Sequence, residues 1–576
     1  MHEVSSYIHR DLSGDRAKAL TTEITQFHRS PGSSGYHAAT NLVADWLRGY
    51  GFNDLTSTRY PLDGETPVGK GPLPLAWEPL GAVVRVLSPA PHEVVNMTTT
   101  SSCLAWWSVA TPPGGVTAEL VDVGKGESDA DYAGKDVAGK IVLISHSVGG
   151  GSGSQGAWSH AAALAQKHGV SGILSDYIFY EVAPHRTRAS LPNAVQLLRL
   201  PNSMGKHNIW ACSITYPAAQ RLRDLLRLGP VTLHAEIDAH MYKGEGHNLL
   251  ATIPGRELSE ESVFFIAHTS AATCPCANCA AGPALMVEIA RTLKSLIDSG
   301  EVRRPRRSIK FLFIIEGSGS TAYIAANPDE LARVKTAFCF DSVGHDQGKL
   351  KSVLLFYRNP DSLPSFINDY FQGVMDRAPK DGTWVFADRN DISPVQFTQA
   401  PYTPWSDNHT WAAYGVPAPL IMSWPDIYFH TQFLTADNTD PRVFRRCGIA
   451  TALAAYEIAD AGATEAVAIA HEVASRGSTR LMETASRAVQ RVLDTHRALR
   501  ATSDSKKIVN RAARELDYYA KRDAACVEAA LSLVPGGATA EQRAEIQALG
   551  SGLTALAKQS ITRIQAVVNA IQGGTR

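Results

Sequence analysis

Residues 261–298 read ESVFFIAHTSAATCPCANCAAGPALMVEIARTLKSLID, and the changes of pattern along this stretch decide the fold class. Val263 to Ala267 is an unbroken apolar run without alternation, the signature of a strand buried on both faces. A loop carrying Cys274, Cys276 and Cys279 follows, and Pro283 to Asp298 then reads as an amphipathic helix. Working outward, SIKFLFIIE (308–316), TAFCFDSVG (336–344) and APLIMS (418–423) repeat the buried-strand pattern. Strands of this kind separated by helical segments predict an α/β fold with a mixed, mainly parallel sheet flanked by helices. Three of the strands end at His268, Glu316 and Asp341. Open α/β sheets bind ligands beyond the carboxyl ends of their strands, so these polar ends mark the candidate site.

The rest of the chain divides around this core. Residues 1–71 read as an N-terminal helical part of the same unit, with AATNLVADWLRGY (38–50) placing Leu42, Val43, Trp46 and Leu47 on one face. Residues 72–246 turn to short strands and Gly/Pro turns, including GKIVLIS (139–145), a helix over 158–168 and GVSGILS (169–175). The core runs over 247–462, and 463–576 is rich in Ala, Arg and Glu with helical periodicity, giving three or four helices. The glycine run containing Gly151, Gly153 and Gly156 meets the spacing of a dinucleotide fingerprint. Its first glycine does not end the strand, however, because HSVGG intervenes, and the run reads as a loop.

Composition narrows the function. With 576 residues, 44% hydrophobic and 19% charged, the chain is long and apolar enough for several packed domains. A net charge of -1 provides no field for nucleic acid or an anionic membrane, so the expected partner is a small-molecule or peptide substrate. The polar start MHEVSSYIHRDLSGD lacks the apolar core of a signal peptide, and no stretch approaches the ~20 apolar residues of a membrane span; the expected location is cytoplasmic. Eight cysteines in this length are too few for a disulfide scaffold.

Five segments in order, AHTSAATCPCANCAAG (267–282), FLFIIEGSGSTAY (311–323), FCFDSVGHD (338–346) with NPDSLPSFIND (359–369), YTPWSDNHTWAAYGVP (402–417) and WPDIYFHT (424–431), resemble the zinc aminopeptidase family that also contains glutaminyl cyclases. The strand, helix, strand order of 139–174 looks like an inserted, β-rich protease-associated domain. The resemblance implies an aminopeptidase-like fold with that insert, and leaves the C-terminal helices outside it. It also implies a zinc site with His268 as first ligand, Asn278 at the position of a bridging aspartate, Glu316 as general base, and Asp341 and His430 as further ligands. Imidazole and carboxylate suit Zn²⁺, which acidifies water and leaves a position open for substrate.

Several residues depart from that pattern. An amide at Asn278 offers one neutral oxygen where a carboxylate would bridge two ions, so one zinc is expected, with copper or another transition metal as alternatives. Gly317 stands where many relatives carry a second glutamate, Ser270 where an acidic residue would orient His268, and Leu434 where an aspartate is common. Cys279, and Cys339 two residues before Asp341, are placed to bring thiolates to the site. Asp407 and His409, in WSDNHTW, are read as substrate contacts. Three functions stay open: a metal-dependent hydrolase of a peptide or small amide, a metalloenzyme performing cyclisation or transfer on an amine-bearing substrate, and a binding relative without catalysis. The C-terminal helices pack on the core or join two subunits.

Overall fold

The computed structural model describes residues 2–145, 154–179, 186–206, 208–270, 277, 279–379, 383–384, 391–392, 395–497 and 502–573. Its centre is an eight-stranded sheet with strands in the spatial order Thr56–Leu62, Gly244–Ile253, Arg307–Ile314, Leu258–His268, Val334–Phe340, Leu420–Trp424, Val353–Tyr357, Phe397–Ala400. The four strands anticipated from the sequence form its parallel middle. The strands around them are antiparallel to their inner neighbours or lie at the edge, which is why their mixed apolar and polar patterns were less legible. The N-terminal part is not helical throughout, because Thr56–Leu62 completes one edge of the sheet.

Register sets the site. His268 lies opposite Ile314, and Ala267 lies opposite Phe340, so three parallel strands end at one level. Glu316 and Asp341 therefore leave the sheet beside His268. The helix Ala281–Asp298 returns across the sheet and is buried along most of its length, with Phe265, Phe311, Phe338 and Phe340 in the same apolar cluster. Gly282 is required there: a Cβ would come 2.9 Å from the carbonyl oxygen of Asp341 and 3.1 Å from that of Phe340. Without a side chain, the first turn of the helix closes onto the end of the strand.

Between Leu62 and Gly244 the chain builds a second sheet of seven strands, ordered His92–Asn96, Ala76–Ser88, Thr232–Tyr242, Val116–Gly124, Ile141–Ile144, Gly172–Ser175, Trp210–Ser213. The last four are parallel, and helices Gln155–Lys167 and Tyr216–Leu228 accompany them. The glycines Gly151 and Gly153 of the dinucleotide-like run lie outside the described residues, and Gly156 sits in the first turn of the helix.

The C-terminal region is three long helices, Ala463–Arg497, Thr502–Glu528 and Ala540–Gly573. They pack against this chain's own core, since Val473, Leu481, Leu516 and Ile564 belong to one apolar cluster with the central sheet. Polar groups lock the contact. The fully buried Arg307 pairs with Glu261 at 2.6 Å and donates to the carbonyls of Ala461 and Leu533. Arg480 grips both oxygens of the buried Asp369 at 2.6 and 2.7 Å and reaches Asp523 at 2.9 Å. Among the described residues, no helix is long and apolar enough to cross a membrane.

Candidate metal centre

His268 closes its strand fully buried, and its two ring nitrogens meet different surroundings. Nδ1 lies 3.0 Å from an oxygen of Asp407, which fixes the proton on that nitrogen. Nε2 is buried and, among the described residues, has no hydrogen-bond partner; Asp341 Oδ1 is 3.9 Å away on that side. Cys279 Sγ is 3.7 Å from the same Oδ1. The imidazole nitrogen, the thiol sulfur and the carboxylate oxygen all lie within 4.8 Å of one another. An orphaned buried nitrogen calls for an explanation, and a nitrogen, sulfur and oxygen set of this size fits a zinc ion.

Electrostatics favours a cation at the same spot. Burial alone would lower His268, yet Cys279, Asp341, Glu316 and Asp407 together hold its ring well above the usual imidazole range. Burial pushes the Cys279 thiol up to about 12, with His268 opposing and Asp341 adding to the rise. A metal cation in place of the proton would satisfy the carboxylate and bring the thiol down. Burial also raises the carboxyl of Glu316, against the opposing pull of His268 and Arg199. Its side chain keeps 35% of its surface open to the cleft, and its backbone N–H donates to Ser270 Oγ at 2.9 Å.

Two of the four described non-glycine residues with positive φ are here, Cys279 at 59° and His430 at 53°. Such backbone persists only where surroundings fix it, and it concentrates at functional sites. For His430 those surroundings come from the second sheet's unit. Leu197 N–H donates to the His430 carbonyl at 2.7 Å, Gln196 Nε2 reaches the same oxygen at 3.2 Å, and Arg186 donates to the Phe429 carbonyl at 2.7 Å. The His430 ring stacks on Phe429 at 3.8 Å. Burial, followed by Arg199, Arg186 and His268, holds it well below the usual imidazole range, in the neutral form that a ligand needs.

These groups open onto a cleft of about 460 Å³ lined by Glu316, Asp341, Cys279 and His430, with aromatic walls of Trp405, Trp424 and Phe429. His430 shares the cleft but stands outside the compact group of His268, Cys279 and Asp341. Asn278, Cys274 and Cys276 lie outside the described residues.

Three expectations change. Asp407 does not face the cleft: it is buried behind His268, and its other oxygen accepts from Gly317 N–H at 2.9 Å and Ser320 Oγ at 2.7 Å. It therefore supplies the orienting carboxylate that Ser270 lacks. His409 is exposed and pairs with Tyr402 at 3.0 Å, away from the cleft lining. Cys339 is packed in the apolar cluster with Phe264 and Trp411, because it lies within its strand, short of the end beyond which Asp341 emerges. Arg199 and Gln155, from the second sheet's unit, line the cleft and were not anticipated. The lone arginine inside the apolar run VQLLRLP was the available signal.

Residues 248–455 match the model of Peptidase family M28. Among solved structures, the chain is similar to BSAP, a zinc aminopeptidase from Bacillus subtilis, with 16% identity, a TM-score of 0.55, and coverage of 77% of this chain and 95% of the other. A Peptidase M28 precursor from Shewanella amazonensis gives 18%, 0.55, and 80% and 96%. A putative peptidase from Clostridium acetobutylicum gives 16%, 0.52, and 80% and 83%. At these identities the likeness is one of fold. No curated protein sequence matches the chain. Residues 248–455 thus match the Peptidase family M28 model, within a fold similar to those of these solved structures.

Proposed function

We propose that this chain is a metal-dependent hydrolase of a peptide or small amide, with one zinc-like ion held by His268, Asp341 and Cys279, His430 as a further ligand, and Glu316 as general base. The observation that carries the reading is the buried Nε2 of His268, which has no hydrogen-bond partner among the described residues, is oriented by Asp407 from behind and is faced by a thiol and a carboxylate. A zinc ion there would supply Lewis acidity, polarising an amide carbonyl and acidifying water.

The protein's own groups account for the rest. Glu316, with its carboxyl raised and one side open to the cleft, takes the proton from the attacking water and passes it to the leaving amine. Asp407 keeps the proton of His268 on Nδ1 throughout, so that Nε2 stays a lone-pair donor. Trp405, Trp424 and Phe429 give the substrate an apolar wall and limit water at the reacting bond.

The test is turnover of a set of aminoacyl amides and short peptides in heavy-oxygen water, on protein purified without chelator. Label in the new carboxylate, together with about one bound ion per chain, is the expected result. Unlabelled product would mean that an amine of the substrate attacks instead, and full activity in metal-free protein would end the reading.

A further inference from the structure

Among the described residues that line the cleft, Arg199 is the single Lys or Arg, and its side chain enters from the second sheet's unit rather than from residues 248–455. Its backbone is held on both sides: Trp158 Nε1 donates to its carbonyl at 2.9 Å, and Trp106 exchanges N–H and C=O bonds with Leu198 and Leu200 at 2.9 and 3.0 Å. The guanidinium carbon lies 4.5 Å over the Trp106 ring. Stacking occupies the face of a guanidinium and leaves its in-plane N–H donors unused. No acceptor among the described residues takes them. The ion-pair contact that Arg199 does make, Nη2 to Glu316 Oε2, is 3.9 Å long, outside hydrogen-bond range.

A fixed guanidinium, 31% exposed and with unused donors, faces a cleft whose apolar walls are Trp405, Trp424, Phe429 and Met422, with Glu316, Asp341, Cys279 and His430 at its metal-binding end. Its planar fork matches a carboxylate in two parallel bonds. The cleft volume of about 460 Å³ suits a ligand of dipeptide size.

We infer that Arg199 anchors a substrate carboxylate, so that this enzyme cleaves short amides with a free carboxylate on the leaving side: dipeptides or N-acylated amino acids with a large apolar side chain. The inference rests on the hydrolase reading for the word "cleaves", while the anchoring itself does not. Proximity to Glu316 fixes the polarity. A carboxylate on Arg199 lies beside the group that hands the proton to the leaving amine, so it belongs to the residue that departs. A long peptide chain beyond that residue would have an amide there and lose the contact.

Equilibrium binding separates the anchor from turnover. By calorimetry, 3-phenylpropionate is expected to bind about ten- to hundredfold more tightly than 3-phenylpropionamide, in protein as purified and again after chelation, so that coordination of a metal cannot account for it. Arg199→Gln should erase the acid-over-amide preference, and Arg199→Lys, which keeps the charge without the fork, should retain part of it; near-ultraviolet circular dichroism checks that both variants are folded. Equal binding of acid and amide to the wild type, or a preference surviving in Arg199→Gln, overturns the anchor. In turnover, the kcat/KM ratio of Leu-Phe to Leu-Phe amide should fall in Arg199→Gln mainly through KM. Acid-selective binding without hydrolysis of either peptide would sink the hydrolase reading and leave the anchor standing.

Discussion

Asp341 and Asp176 hold equivalent places in the two sheets. Each directly follows the last residue of a parallel strand, Phe340 in the first and Ser175 in the second, and each is largely or wholly buried. Asp176 takes a hydrogen bond from Ser145 Oγ at 2.5 Å, that serine itself following a neighbouring parallel strand, and it lies near enough to Arg188 to oppose the lowering that burial imposes on that guanidinium. Asp341 takes one from Ser342 at 3.0 Å, and also faces the sulfur of Cys279 and a His268 nitrogen that has no hydrogen-bond partner among the described residues. Burial at a strand end is common to both, so it is not what makes a site. The difference is residual bonding capacity: one cluster closes on itself, and the other, among the described residues, brings a nitrogen, a sulfur and a carboxylate oxygen to within 4.8 Å of one another.

Substitutions can break this contrast or sharpen it. His268→Ala should have the largest effect, taking retained metal from about one ion per chain to none and removing turnover with it, as elemental analysis and assay of the same sample would show. Glu316→Gln should keep the ion and lose ~10²-fold or more in kcat, because the amide cannot accept the water's proton. Unchanged turnover would return Glu316 to a structural role. Asp407→Asn should cost ~10- to 100-fold in metal affinity. The new amide can present a donor to Nδ1, which moves the ring proton to Nε2, the face turned towards Asp341 and Cys279; a metal titration by competition with a chelating dye reads this directly. Ser145→Ala in the second sheet should lower stability by about 1–3 kcal/mol, by removing a donor from a buried carboxylate, and leave metal content as it was. A loss of metal in that variant would dissolve the distinction between the two sheets.

Much of this site was legible because buried parallel strands announce themselves. Apolar runs ending in His268, Glu316 and Asp341 gave the sheet, its direction and three of the converging groups. Asp407 was visible as a polar residue but not in its role, since its partner His268 stands 139 positions away and a Ser-Asp pair at a helix start resembles an ordinary cap. The cysteines divided for the same reason: Cys279 reaches the site through a left-handed backbone and the close approach at Gly282, neither of which periodicity reveals, whereas Cys339 lies within its strand, packed in the core. Arg199 was missed because it lies in a connection of the second sheet's unit, far along the chain from the other cleft residues, and only the docking of two units gives it a place in the cleft.

The hydrogen bonds that tie the 429–432 segment to Arg186, Val195, Gln196 and Leu197 carry a consequence for any minimal version of this protein. The unusual torsion at His430 is braced from outside its own domain, so excising residues 248–455 would remove the brace along with the arginine. Such a fragment would keep the outline of a peptidase domain, but one wall of its working cavity and the posture of its last histidine would be left behind in the discarded part.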